Sequence, residues 1–205
     1  MRNGGYDEGY SAVPCFWGED PGSLVKQFLE GHSVEGGVIL DLGCGEGKNA
    51  NAFVTAGATA IAVDCSLDAI TNGKSVFGDD TIDWRIEDAT SFTASQSDGI
   101  YDVVVAYGLL HCMKSEAEAD ALINDVKRLT KHGGAVILVA FNDRSQDLSA
   151  HPGFEPLLLP HDWYAAKFSN WQTEILTDTD LHETHPHNGI LHHHSLTRLI
   201  AKKSS

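Results

Sequence analysis

The residues able to do chemistry gather at a few points of this 205-residue chain. The first is Asp41-Leu42-Gly43-Cys44-Gly45-Glu46-Gly47. Glycines at alternate positions allow positive φ and let backbone approach a ligand closely. The loop follows a short apolar run and precedes a helical stretch, where nucleotide-like ligands are held. Its G-x-G-x-G spacing is not the G-x-G-x-x-G of dinucleotide sites, because Lys48 stands where the last glycine belongs. No second glycine is followed by Lys and Ser/Thr, so a P-loop is absent. Asp64 lies about 20 residues beyond the loop, where an acid can hold both hydroxyls of a ribose.

The second point is histidine. Of 11 histidines, eight lie at or after His151. His182, His185, His187, His192, His193 and His194 surround Asn188-Gly189, a hairpin turn signal. His192 and His194 share one strand face and His193 takes the other. Three readings stay open: an exposed polar hairpin, a base or contact for substrate, and a divalent metal site with Glu183. No metal ligand is assigned from the sequence. His111 is the first candidate for a catalytic base. Tyr10, Trp17, Asn142, Arg144, Glu183, His192 and His194 are candidates for substrate contact.

These residues need elements to position them. Leu24, Val25, Phe28 and Leu29 recur at helical spacing after Asp20-Pro21, and Gly31 ends that run. Apolar strands are expected over 37–42, 58–64, 82–86, 101–107 and 134–141, with helices between them. Ser115 and Glu118 form a capping box before a helix with Ala119, Leu122, Ile123, Val126 and Leu129 on one face. Lys127, Arg128 and Lys131 suit its negative end, and Gly133 its stop. A short helix is expected over 159–168, then two long strands over 171–183 and 194–201. Strands alternating with helices imply a parallel sheet covered on both faces. Its ligands bind at the carboxyl ends of the strands, where Asp41, Asp64, Asp88 and Tyr107 stand.

The whole chain reads as one domain: an N-terminal lid segment and helix over 1–32, a core over 37–141 and a strand pair over 171–203. The fold class is α/β, a three-layer Rossmann-like sheet of seven mostly parallel strands ending in an antiparallel hairpin. Asp plus Glu exceed Lys plus Arg by 29 to 14, a net charge of −15. That charge repels phosphate backbones and anionic lipids, which argues against nucleic-acid and membrane partners and favours small substrates. Cys15, Cys44, Cys65 and Cys112 form no C-x-x-C pair and read as reduced thiols of a cytoplasmic protein. The first residues lack the apolar stretch of a secretory signal. A monomer or homodimer is expected.

Four stretches carry a family resemblance. Val38–Gly47 resembles motif I of class I S-adenosylmethionine (SAM) dependent methyltransferases. Ala62-Val63-Asp64-Cys65-Ser66 is similar to their second motif, Glu87-Asp88-Ala89 to the third and Tyr101–Val105 to the fourth. The resemblance covers roughly residues 20–141 and implies SAM as cofactor. It implies that Gly43, Gly45 and Gly47 pass against the methionine part and that Asp41 organises the loop and reaches the amino group. It also implies that Asp64 holds the ribose, Cys65 lines the adenine, Asp88 and Ala89 meet the adenine edge, and Tyr107 lies near the sulfonium. Phe16-Trp17-Gly18 and His194–Lys203 resemble segments of small tellurite-resistance (TehB-like) methyltransferases, which implies a small acceptor. Two other classes compete. A nicotinamide-dependent oxidoreductase is opposed by the loop spacing and by the lack of a Tyr-x-x-x-Lys pair. A non-catalytic SAM-binding regulator keeps the intact loop but needs no acceptor.

Overall fold

The computed structural model describes residues 6–185 and 188–204; His187 of the histidine run lies outside them. Seven strands form one sheet in the order β3-β2-β1-β4-β5-β7-β6. They are β1 (Val38–Leu42), β2 (Thr59–Asp64), β3 (Asp83–Ile86), β4 (Tyr101–Tyr107), β5 (Thr130–Gln146), β6 (Gln172–Glu183) and β7 (His192–Lys202). The first five are parallel, and β7 runs antiparallel to both of its neighbours. The fold is therefore the α/β, Rossmann-like arrangement expected from the alternating pattern.

Among the described residues seven helices accompany the strands: α1 (Asp7–Ala12), α2 (Ser23–Gly31), α3 (Lys48–Thr55), α4 (Leu67–Phe77), α5 (Ala89–Ser95), α6 (Glu116–Leu129) and α7 (His161–Lys167). A 3-10 turn at Leu110–Cys112 follows β4. The sheet separates two apolar layers. One packs Leu122, Ile123 and Val126 of α6, with Tyr164 and Phe168, against Leu40, Val104 and Leu138. The other packs Leu24, Val25 and Phe28 of α2, with Phe53, against Ile39, Val105 and Ile137. Among the described residues no helix is long and apolar enough to cross a membrane.

Several boundaries differ from the expected ones for visible reasons. Helix α2 begins at Ser23, not at Asp20-Pro21. The residue before it is Gly22, where a Cβ would come within 2.5 Å of the Tyr107 ring, so the chain turns into the helix at the point of that close approach. In the capping box Ser115 Oγ accepts from the Glu118 N–H, but the Glu118 carboxylate accepts from the Lys114 N–H rather than from Ser115. Helix α6 stops at Leu129, and β5 starts at once. Lys131 is therefore a strand residue paired to Asp102 at 2.8 Å, and Gly133 lies within β5 rather than at the helix stop. Asn188-Gly189 does not form a two-residue turn. It lies in a longer connection from β6 to β7, where Asn188 Oδ1 accepts from the Ile190 N–H and Gly189 has φ 63°.

Candidate functional site

A cavity of about 260 Å3 opens at the carboxyl ends of the parallel strands. Its floor is the glycine loop. Gly43, Gly45 and Gly47 have φ of 65°, 54° and 82°, values that side chains with a Cβ resist. A Cβ at Gly45 would come within 2.7 Å of the Tyr10 hydroxyl, and one at Gly43 within 2.8 Å of Leu109. Gly43 and Gly45 line the cavity. Gly47 does not; it makes room for Trp84 of β3, 2.3 Å from where a Cβ would sit.

Asp64 ends β2 at the cavity edge. One of its oxygens accepts from the Gly45 N–H and the other from the Ser66 N–H, both within 2.9 Å. Burial raises its carboxyl above the usual range, and those backbone donors oppose the shift. Cys65 lines the cavity beside it, with its thiol pushed up to about 11 by burial. Cys112, another lining residue, is pushed up to about 12 for the same reason, so neither thiol supplies a thiolate near neutral pH.

Asp41 lies beneath the loop and is fully buried. Its Oδ2 accepts from the Ala50 N–H of α3 at 3.1 Å, which ties helix to strand. Its Oδ1 has no hydrogen-bond partner. Burial pushes its carboxyl up to about 7. Asp88 caps α5, accepting from the Thr90 and Ser91 N–H groups and the Thr90 hydroxyl. Neither Asp88 nor Ala89 borders the cavity.

An N-terminal segment forms the cavity roof. Tyr6, Tyr10 and Trp17 face inward, with Trp17 Nε1 donating to the Tyr10 hydroxyl at 3.2 Å. Polar ties fasten this segment to the loop. Lys48 Nζ donates to the Trp17 carbonyl at 2.7 Å, and Glu46 Oε1 accepts from the Cys15 N–H and from Asn72 Nδ2. Burial raises the Tyr6 and Tyr10 phenols well above their ordinary value.

His111 reaches the same space from the 3-10 turn after β4. It is buried and stacked on Phe141, with ring centroids 3.9 Å apart. Its Nδ1 accepts from the Phe141 N–H at 3.2 Å, and its Nε2 faces the Tyr6 hydroxyl at 3.5 Å. With Nδ1 accepting, the neutral ring carries its proton on Nε2. Burial holds its pKa down to about 3. The lone pair that a general base would use is thus engaged by the Phe141 N–H, which counts against the expected role.

The substrate candidates divide. Of them, Tyr10, Trp17 and Glu183 border the cavity, alongside the cofactor candidate Tyr107. Burial raises the Glu183 carboxyl. Asn142 does not border it. Fully buried, it donates to Asp178 at 2.9 Å and to Thr197 at 3.4 Å, locking β5 to β6 and β7. Arg144 is also turned away, holding Asp178 and Asp180 with its guanidinium. The expected substrate contacts of Asn142 and Arg144 are therefore strand ties. His192 and His194 are buried behind the cavity wall, where His194 stacks on Phe141 with centroids 4.1 Å apart. Together with buried His185, they rule out an exposed hairpin as the whole account of the histidine run. Tyr6 and His151, both on the cavity wall, were not singled out from sequence. No local pattern marks Tyr6, and only the excess of histidine pointed toward His151.

Residues 39–134 match the family described as methyltransferase domain. Over 122 residues the chain is 31% identical to the ubiquinone biosynthesis O-methyltransferase of Methylococcus capsulatus, covering 58% of this chain and 50% of that one. Over 123 residues it is 29% identical to the cypemycin N-terminal methyltransferase of a Streptomyces species, covering 58% and 48%. The chain thus spans about half the length of the curated relatives it matches. Over residues 39–134 the sheet order and the glycine loop agree with that methyltransferase-domain match, a class for which SAM is the cofactor. Among solved structures the fold is similar to that of TehB from Haemophilus influenzae. The TM-score is 0.70 at 18% identity, with 88% of this chain and 61% of that chain covered.

Proposed function

We propose that this chain transfers the methyl group of SAM to a small-molecule acceptor. The observation that carries the reading is one continuous cavity, which runs from the carboxylate of Asp64 and the bare backbone of Gly43 and Gly45 to Tyr6, His111 and Glu183. The first end suits a nucleoside with hydroxyls to bind, and the second suits an acceptor. The unpartnered Oδ1 of Asp41 fits a cofactor that brings an ammonium group to the loop, directly or through water. Asp64 would hold the ribose through oxygens already oriented by two backbone donors. Cys65 would lie against the adenine, with Asp88 and Ala89 at its edge by the family motif. Tyr107 would stand near the sulfonium end. When bound, SAM supplies an electrophilic methyl carbon for in-line displacement.

The chain's own residues would then hold the acceptor in line and exclude water. Tyr6, Tyr10 and Trp17 roof the cavity and limit acceptor size, which supports a small molecule over a folded protein. His111 Nε2–H would donate to the acceptor or to Tyr6. Where the nucleophile must lose a proton, Glu183 is the carboxylate on that wall, and burial raises its pKa, which makes it a stronger base than an exposed carboxylate. The related enzymes differ in acceptor: one is named an O-methyltransferase, a second an N-terminal methyltransferase and a third a ribosomal protein methyltransferase. The acceptor atom is therefore chosen by this wall and not by the cofactor half.

Calorimetric titration with SAM, S-adenosylhomocysteine and NADH tests the reading. Saturable binding of the two sulfur nucleosides without NADH is expected. In the Asp64→Ala variant SAM affinity should drop at least tenfold, about 1.4 kcal/mol. Tight NADH binding, or an Asp64→Ala variant with wild-type SAM affinity, would sink it.

A further inference from the structure

Four histidines converge behind the acceptor end of the cavity. His151 follows β5, His185 lies between β6 and β7, and His192 and His194 are on β7. The His151 Nε2 is 3.2 Å from that of His185 and 3.3 Å from those of His192 and His194. Strand register produces the cluster: Gln146 of β5 stands opposite His194, and Glu183 of β6 opposite His192. His193 takes the other face, where its Nε2 meets the Ser145 hydroxyl.

The outer nitrogens fix the tautomers. His192 Nδ1 lies 2.8 Å from the Ile190 carbonyl oxygen, which only accepts, so Nδ1 carries the proton. His194 Nδ1 lies 2.8 Å from Gln146 Oε1. Gln146 Nε2 donates to the Asn142 and Ser195 carbonyls, which sets that amide's orientation, so His194 Nδ1 also donates. Both rings therefore aim an Nε2 lone pair at the His151 Nε2. One N–H there can serve only one of them.

A metal cation accepts all of these lone pairs. The Nδ1–H···O bonds of His192 and His194 are the outer contacts that orient metal-binding imidazoles. Tetrahedral zinc with Zn–N of 2.0–2.1 Å places its nitrogens about 3.3–3.4 Å apart. Three of the six edges already stand at 3.2–3.3 Å. Glu183 Oε1, 3.8 and 4.0 Å from the His192 and His194 Nε2 atoms, supplies a compensating negative charge. An all-imidazole set selects borderline transition metals over magnesium or calcium.

We infer that His151, His185, His192 and His194 form a binding site for a divalent transition-metal ion of the zinc class, with Glu183 as its carboxylate neighbour. His151 and Glu183 also border the cavity, so the ion would form part of the acceptor wall. The site does not depend on the methyl-transfer reading.

The test is titration of untagged, chelator-stripped protein with zinc, and separately with cobalt, by calorimetry and visible absorption. One saturable equivalent is expected, with the strong visible bands of four-coordinate cobalt. The double variant His192→Ala/His194→Ala should lose at least about tenfold in affinity, whereas His193→Ala should not. Should the double variant fail to fold by circular dichroism, His185→Ala, outside the strands, makes the same comparison. Wild-type protein that takes up no metal, or equal affinity in the wild type and the cluster variants, overturns the inference.

Discussion

The unpartnered oxygen of Asp41 makes the buried acid a measurable liability of the cofactor-free protein. Its folded pKa is about 7 against an ordinary 3.8, and burial is the chief cause. The sign follows from proton counting. Between those two values the unfolded chain has released the proton and the folded chain has not, so rising pH favours unfolding. The contribution of Asp41 is therefore most favourable below about pH 4, falls as pH rises toward 7 and is level above it. Its size is on the order of a few kcal/mol. Urea unfolding across that range should show stability declining with pH in the wild type and a flatter profile in Asp41→Asn. A wild-type profile that rises across the window would refute the buried-acid account. His111 teaches a related lesson. A histidine near an acceptor invites assignment as a base, yet the N–H of Phe141 already occupies its lone pair.

At the scale of elements, the loop and the strand ties make separable predictions. Gly45→Ala places a Cβ on the Tyr10 hydroxyl and strains a residue at φ 54°. SAM affinity should fall by about tenfold or more, and Tyr10→Phe in the same chain should recover part of it. A strictly additive pair would show that the loop and the roof do not touch. Asn142→Ala removes buried bonds between β5 and its neighbours. A loss of about 1–3 kcal/mol in urea unfolding is expected, with acceptor KM and SAM affinity unchanged. A change in KM at full stability would return Asn142 to the substrate list.

These cases also show what local sequence carries. The Asp41–Gly47 loop, the strand-ending Asp64 and the apolar face of α6 are written in adjacent residues, because positive φ and periodic burial are local requirements. Asn142 reads as a loop residue because it follows the expected strand over 134–141, whereas β5 continues to Gln146 and gives it strand partners. The contacts of His151 with His192 and His194 span 41 and 43 residues and arise only from the pairing of β5 with β7. Tyr6 meets His111 across 105 residues, and no spacing rule reaches that far.

At the scale of the whole molecule, charge dominates. A net charge of −15 on 205 residues makes the compact state repel itself. Raising sodium chloride from low to physiological strength should raise the melting temperature, because the Debye length shrinks toward about 8 Å. A melting temperature that falls with salt would mean that ion pairs such as Lys131–Asp102 outweigh the repulsion.

Strand order has one more effect, on the timing of assembly. β7 follows β6 in the chain yet lies between β5 and β6. A chain made from its first residue onward therefore exposes β6 before the strand it must pair with exists. The sheet over β1 to β5 can close first, while β6 waits as an unpaired ribbon. When β7 emerges it fills the gap from both sides at once. The outer sheet edge and the histidine cluster therefore both wait on β7.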